Sequence, residues 1–350
     1  MMNRFVLATA ATVIMAAAGP AWAAEAAIDL QSGLEAAQRG HFDDGVRLLT
    51  MAINSKELSP ADLEQALKAR GLMYQRQNKQ KEALADYDAA VRLQPSDASA
   101  YDMRGTAYAG TGQMDRAIAD YDKTLQLQPH NVAAHVNRGF AYIVKRQYKQ
   151  AIADLDAALE LSPKDFAAYR NRATAYRSLG DYRKAVADYD AALRLNPKDP
   201  NVGYESGRAK YQLGDFAGAA QDLSRSLSSF PNQPYTAIWL YLAEAKAGKP
   251  DPQELAAHAA KTNAKAWPAP IIAMFEGKSS IPAVQSVAVV GSKNDRAVRA
   301  CEVALYVGEY QALKADRAAA QQSFERATQA CPKSIFEHDA ASEELKRLKG

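Results

Sequence analysis

Apolar and small residues along this chain recur at intervals of three and four, break at a glycine or polar turn, resume, and stop at a proline. That period marks α-helices with one buried face. The pattern then repeats itself every 34 residues. Gly71, Gly105, Gly139, Ala173 and Gly207 form one column, and Ala83, Ala117, Ala151, Ala185 and Ala219 form another twelve residues later. Tyr87, Tyr121, Leu155, Tyr189 and Leu223 form a third, and Pro95, Pro129, Pro163, Pro197 and Pro231 close the units. Each copy reads as two helices. Glycine or alanine lets two backbones approach closely, an aromatic or leucine fills the space beside them, and the proline ends the second helix because it cannot donate the next hydrogen bond. The expected fold is all-α, a solenoid of stacked helix hairpins without strands.

These columns resemble the tetratricopeptide repeat, whose signature places glycine, tyrosine, alanine, an aromatic and proline at this spacing. The resemblance implies a right-handed superhelix with repeats at 64–97, 98–131, 132–165, 166–199 and 200–233. Gly33, Gly40, Phe42, Leu49 and Ala52 fit a degenerate copy over 26–63. Gly308, Ala320, Phe324, Ala327 and Pro332 restore the frame over 301–334, and 335–350 reads as a capping helix with Phe336, Leu345 and Leu348 inward. Between them, 234–300 is divergent. Residues 234–249 keep the character of a first helix around Trp239 and Tyr241, and further helices are expected over 253–263, about 267–275 and 281–290.

The start of the chain changes the picture of where it acts. Arg4, the apolar run Phe5 to Ala18 and the triplet Ala21-Trp22-Ala23 read as a secretory leader over 1–23, too short to span a bilayer. Loss of Arg4 lowers the net charge from +3 to +2. Charges of both signs are interspersed, which gives no basis for nucleic-acid binding. No glycine-rich phosphate loop, zinc-type cysteine pairing or HExxH run is present, and the five histidines are scattered singly. No cofactor or metal is therefore expected, and the reading is of a binding protein and not an enzyme. Residues 250–300 offer lysines, aspartates and serines, but no nucleophile and base at recognisable spacing. Cys301 and Cys331 lie at the start of one helix and the end of the next, so they are expected to form a disulfide in an oxidising compartment. Two unpaired core thiols are the alternative.

Arg70, Arg104, Arg138 and Arg172, with Asp86, Asp120, Asp154, Asp188 and Asp222, recur in nearly every unit. Whatever every unit carries maintains the unit, so these are expected to pair structurally. Specificity belongs where copies differ. Tetratricopeptide arrays line a concave groove with their first helices, and the resemblance places Lys68, Leu72, Asp102 and Thr106 there early in the chain. Later it places Asn137, Phe140 and Ile143, then Arg170, Asn171 and Arg177, then Tyr204, Arg208 and Tyr211. Guanidinium forks beside aromatic faces suit a protein or peptide partner with acidic groups or a free carboxylate. The carboxylate clamp of chaperone-binding members is absent, because Leu72 and Met103 stand at two of its asparagine places.

Trp267-Pro268, Ile271, Ile272, Phe275-Glu276-Gly277, Cys301-Glu302, Tyr306, Gly308, Glu309, Phe336-Glu337-His338 and Glu344-Leu345 are similar to the tail of NlpI-type periplasmic lipoproteins. Those are generally dimeric adaptors that bring cell-wall hydrolases to a protease. The likeness implies an adaptor in the periplasm of a Gram-negative bacterium, a homodimer among its forms, without the lipidated cysteine and so without a stable membrane anchor. A fixed structural subunit of an export or envelope assembly complex is the alternative.

Overall fold

The computed structural model describes residues 21–261, 266–333 and 335–349. The apolar run of the expected leader lies outside them. Among the described residues there are nineteen α-helices and no strand, and no helix is long and apolar enough to cross a membrane. The described residues form two compact units, divided between Asn137 and Arg138.

The first unit contains α1 (Ala21–Gln38), α2 (Phe42–Ser55), α3 (Pro60–Arg76), α4 (Gln80–Leu93), α5 (Ala98–Gly110) and α6 (Met114–Leu127). It closes within α7 (Val132–Val144). The second continues with α8 (Tyr148–Leu161), α9 (Phe166–Ser178), α10 (Tyr182–Leu195), α11 (Pro200–Gln212), α12 (Phe216–Ser229) and α13 (Pro234–Lys246). Three short helices follow, α14 (Pro252–Ala259), α15 (Ala269–Phe275) and α16 (Ile281–Ala288). The chain ends with α17 (Lys293–Leu313), α18 (Arg317–Ala330) and α19 (Phe336–Lys349).

Close backbone approach explains the small-residue column. A Cβ on Gly207 would lie 2.5 Å from the Leu223 side chain, so α11 meets α12 only because nothing is there. The alanines at 83, 117, 151, 185 and 219 are fully buried, as are Tyr87, Tyr121, Tyr189, Leu155 and Leu223. Punctuation is equally local. Pro-x-Asp closes one hairpin and opens the next: Asp97, Asp165 and Asp199 each accept hydrogen bonds from backbone N–H groups of the helix that follows. Within a hairpin the turn needs a left-handed residue, which Gly214 supplies at φ +79° and Arg146, without that freedom, at φ 59°.

The repeated charges form rungs. In the first unit, Arg70 grips Asp86 through Nε (2.8 Å) and Nη2 (2.7 Å) and donates to Thr50 of the preceding hairpin (3.0 Å). Arg104 grips Asp120 at 2.8 and 2.7 Å and reaches back to Asp88 at 2.8 Å, its guanidinium between the rings of Tyr101 and Tyr108. The second unit repeats the device with Arg172, held by Asp188 and Asp156. At the next copy Ser206 stands where arginine is due, and Lys210, one turn on, reaches both Asp222 (2.7 Å) and Asp190 (2.8 Å) while Ser206 also donates to Asp222 (2.7 Å). The pairing expected of these columns is what the structure contains.

The carboxy-terminal part is organised differently. Buried residues from Tyr211 to Ala341 make one continuous core. Trp239 is its centre, fully buried, with Tyr211 (5.1 Å), Phe336 (5.2 Å) and Tyr306 (5.8 Å) packed around it ring to ring. Cys301 and Cys331 are joined by a disulfide, with Cα atoms 4.7 Å apart. The expected position of Cys301 is corrected, because α17 starts at Lys293 and Cys301 lies well inside it. Ser292 and Asp295 form a capping box that begins the helix early.

Candidate protein-binding groove

In the first unit, the variable positions of α3 and α5 are mixed in sign. Lys68 is tied to Glu64 (2.8 Å) and Asp97 (2.7 Å), Leu72 and Thr106 are exposed, and Asp102 is half-buried. Asn137, at the unit's end, is near Asp102 and favours its charged form. Burial pushes the Asp102 carboxyl up to about 6.

In the second unit, α7 presents Phe140, 44% exposed, and the half-buried Ile143. On α9, Arg170 leans over Phe166 at 5.9 Å and its only polar neighbour is the adjacent Asn171 carbonyl oxygen at 3.4 Å. It forms no ion pair among the described residues. Its neighbour Arg172 is fully engaged in a rung, so the two arginines do different things: one holds the hairpin and the other is available. Asn171 itself is buried. Arg177 faces Glu205 at 3.4 Å, and Glu205 faces Arg208 at 3.8 Å.

The expectation that Arg208 and Tyr211 lie on an open groove is corrected by what covers them. Arg208 is only 8% exposed, stacked 3.7 Å from the centre of the Phe336 ring and 3.4 Å from Glu337, both on α19. Tyr204 is half-buried on the other side of the same guanidinium, 5.0 Å away. Tyr211 is fully buried and donates to Glu309 of α17 at 3.0 Å. Tyr182 of α10 donates to Asp339 at 2.8 Å, and Arg347 donates to the backbone oxygens of Tyr211 (2.9 Å) and Gln212 (2.8 Å). The final helix thus brings an aromatic and two carboxylates onto α10 and α11, the chemistry that sequence reasoning assigned to an outside partner. Beneath it, Glu309 and Glu344 share Lys246, and Glu344 also holds Arg347. Full burial raises the Glu309 carboxyl to about 7 against the pull of Lys246. The sequence signal for this arrangement was the charged, aromatic start of the last helix, Phe336-Glu337-His338-Asp339. Nothing local says against which helix it packs.

No curated protein matches the chain. Among solved structures, a Pseudomonas aeruginosa protein described as pilF is similar over 63% of this chain and 99% of its own, at 19% identity and a TM-score of 0.55. A tetratricopeptide repeat protein from Parabacteroides merdae covers 93% of this chain and 100% of its own, at 16% identity and a TM-score of 0.52. At those identities the likeness is one of fold. Sequence profiles described as tetratricopeptide repeat match residues 68–132, 103–166, 139–204 and 176–238. With the 34-residue columns, the close helix contacts and these matches together, residues 68–238 are tetratricopeptide repeats.

Proposed function

We propose that this chain is an exported, non-catalytic adaptor of the bacterial periplasm that recruits an envelope protein, through acidic or carboxylate-bearing segments, to a processing protease. The observation that carries the partner chemistry is Arg170. It is a guanidinium on a variable first helix with no carboxylate of its own among the described residues, and Phe140 on α7 of the same unit is exposed. A planar fork of donors fits a carboxylate in bidentate geometry, and a rigid helix stack presents it with little ordering cost on association. Because α19 covers Arg208 and Tyr211, the open positions for a partner in this unit are on α7 and α9. The leader-like start and the likeness of the tail to NlpI-type adaptors support the periplasmic and adaptor parts of the reading.

The test is affinity capture from periplasmic extract with the full-length protein and with Phe140→Ala/Arg170→Ala, both checked for helicity by circular dichroism. Loss of the captured partner, at least about tenfold in affinity for some 1.4 kcal/mol of contact energy, is expected of the double variant. Capture that the double variant leaves unchanged refutes the choice of surface. Purified protein that turns over a substrate refutes the non-catalytic reading.

A further inference from the structure

We infer that Asp102, Thr106 and Asn137 form an ammonium-binding subsite in the first unit, one that takes a lysine side chain of a peptide partner. The inference rests on the protein-binding reading but lies in the other unit and uses the opposite charge from Arg170.

The repeat gives no reason for a carboxylate at 102. The equivalent positions in other units are Lys68, Val136, Arg170 and Tyr204, so no interaction common to the repeats requires it. Asp102 forms no salt bridge among the described residues, and its Oδ1 is shielded from solvent without a hydrogen-bond partner. The cations that could reach it are engaged elsewhere: Lys68 with Glu64 and Asp97, Arg70 with Asp86, and Arg104 with Asp88 and Asp120. A desolvated carboxylate without a cation is costly to the fold, and valine or leucine would serve packing better. Such a group is retained where something outside the fold completes it.

What surrounds Asp102 suits a primary ammonium. Thr106 is one helical turn further along α5, and its Oγ1 accepts a hydrogen bond from the Tyr121 hydroxyl at 3.4 Å. The Asn137 amide lies near enough to Asp102 to oppose the effect of burial on its carboxyl, and the amide's carbonyl oxygen is a further acceptor. Carboxylate, hydroxyl and amide oxygens together match the three donors of a lysine head group. The exposed Leu72 on the neighbouring α3 offers apolar surface for the methylene stem.

The experiment uses full-length protein and an array of end-capped nonapeptides whose central residue is lysine, its uncharged isostere norleucine, or glutamate, with affinities of the best binders measured by fluorescence anisotropy. The wild type is expected to prefer lysine over norleucine by at least about tenfold, a single charged contact's worth. Asp102→Asn removes that preference while its melting temperature stays at or above that of the wild type, because an uncompensated charge has been removed. Arg170→Ala keeps the lysine preference. A wild type with no lysine preference, or an Asp102→Asn variant that retains it, overturns the subsite. Neither result touches the capture of an acidic partner through Arg170, which fails or survives on the periplasmic pull-down alone.

Discussion

The regular repeats and the carboxy-terminal region solve the same problem by different means. In the repeats, hairpins bury a tyrosine or leucine under small residues, and within each unit they join the preceding hairpin through a rung such as Asp156–Arg172–Asp188. The rungs there reach the adjacent hairpin. From Tyr211 onward, Trp239 gathers rings from α11, α17 and α19, and a disulfide and a buried Glu309–Lys246–Glu344 group tie the same helices together. The lesson is that a periodic array distributes stability in small local portions, whereas the non-periodic end concentrates it.

The largest effect that would separate the two regions is expected from Trp239→Ala. It empties the centre of the aromatic cluster and should lower stability by about 3–5 kcal/mol. Hydrogen exchange should then show lost protection from α11 to α19 while α3 to α6 stay protected. Loss spread evenly along the whole chain would break the distinction. A smaller effect is expected from Lys210→Met, which leaves the buried Asp222 with Ser206 and the looser Arg225 contact at 3.4 Å and should cost about 2 kcal/mol in urea denaturation. Adding Ser206→Arg should recover most of that loss by rebuilding the rung used elsewhere; absence of rescue would show that this rung is not equivalent to the others.

The smallest effect is a pH slope. The folded pKa of Glu309 lies above its ordinary value, so between about 4.5 and 7 the folded chain binds more protons than the unfolded one, and stability falls as pH rises through that window. Glu244, raised to about 7 by burial, and Asp102 act in the same direction. Glu309→Gln, which keeps an acceptor for Tyr211, should make the dependence of melting temperature on pH shallower. A slope unchanged between pH 5 and 7.5 would show that Glu309 does not titrate there.

The sequence made the repeats legible because their columns answer to sterics that act at short range: no side chain but hydrogen fits at 207 against Leu223. Arg70 and Asp86 were recognisable as partners since both recur in phase. The Pro-x-Asp caps were equally written in the chain, though they need the reader to count two residues past each proline. Lys210 was hidden by a shift of one helical turn, which breaks the column while keeping the charge on the same face. The cover over Arg208 and Tyr211 was illegible for another reason. It joins residues 129 and 98 positions apart, and the helix that supplies it has no periodic counterpart. Of the groove expected in the second unit, Phe140, Ile143 and Arg170 remain accessible, and Arg170 is distinguished by having no carboxylate partner among the described residues.

The rungs also bear on how such a chain changes length over generations. Arg104 and Arg172 each receive one aspartate from their own hairpin and one from the hairpin before, and the aspartates of different copies are chemically identical. Duplication or loss of a whole 34-residue module therefore leaves each junction correctly matched. Thr50 at one end and Lys210 at the other are where the couplings differ, so they mark the limits within which modules are interchangeable.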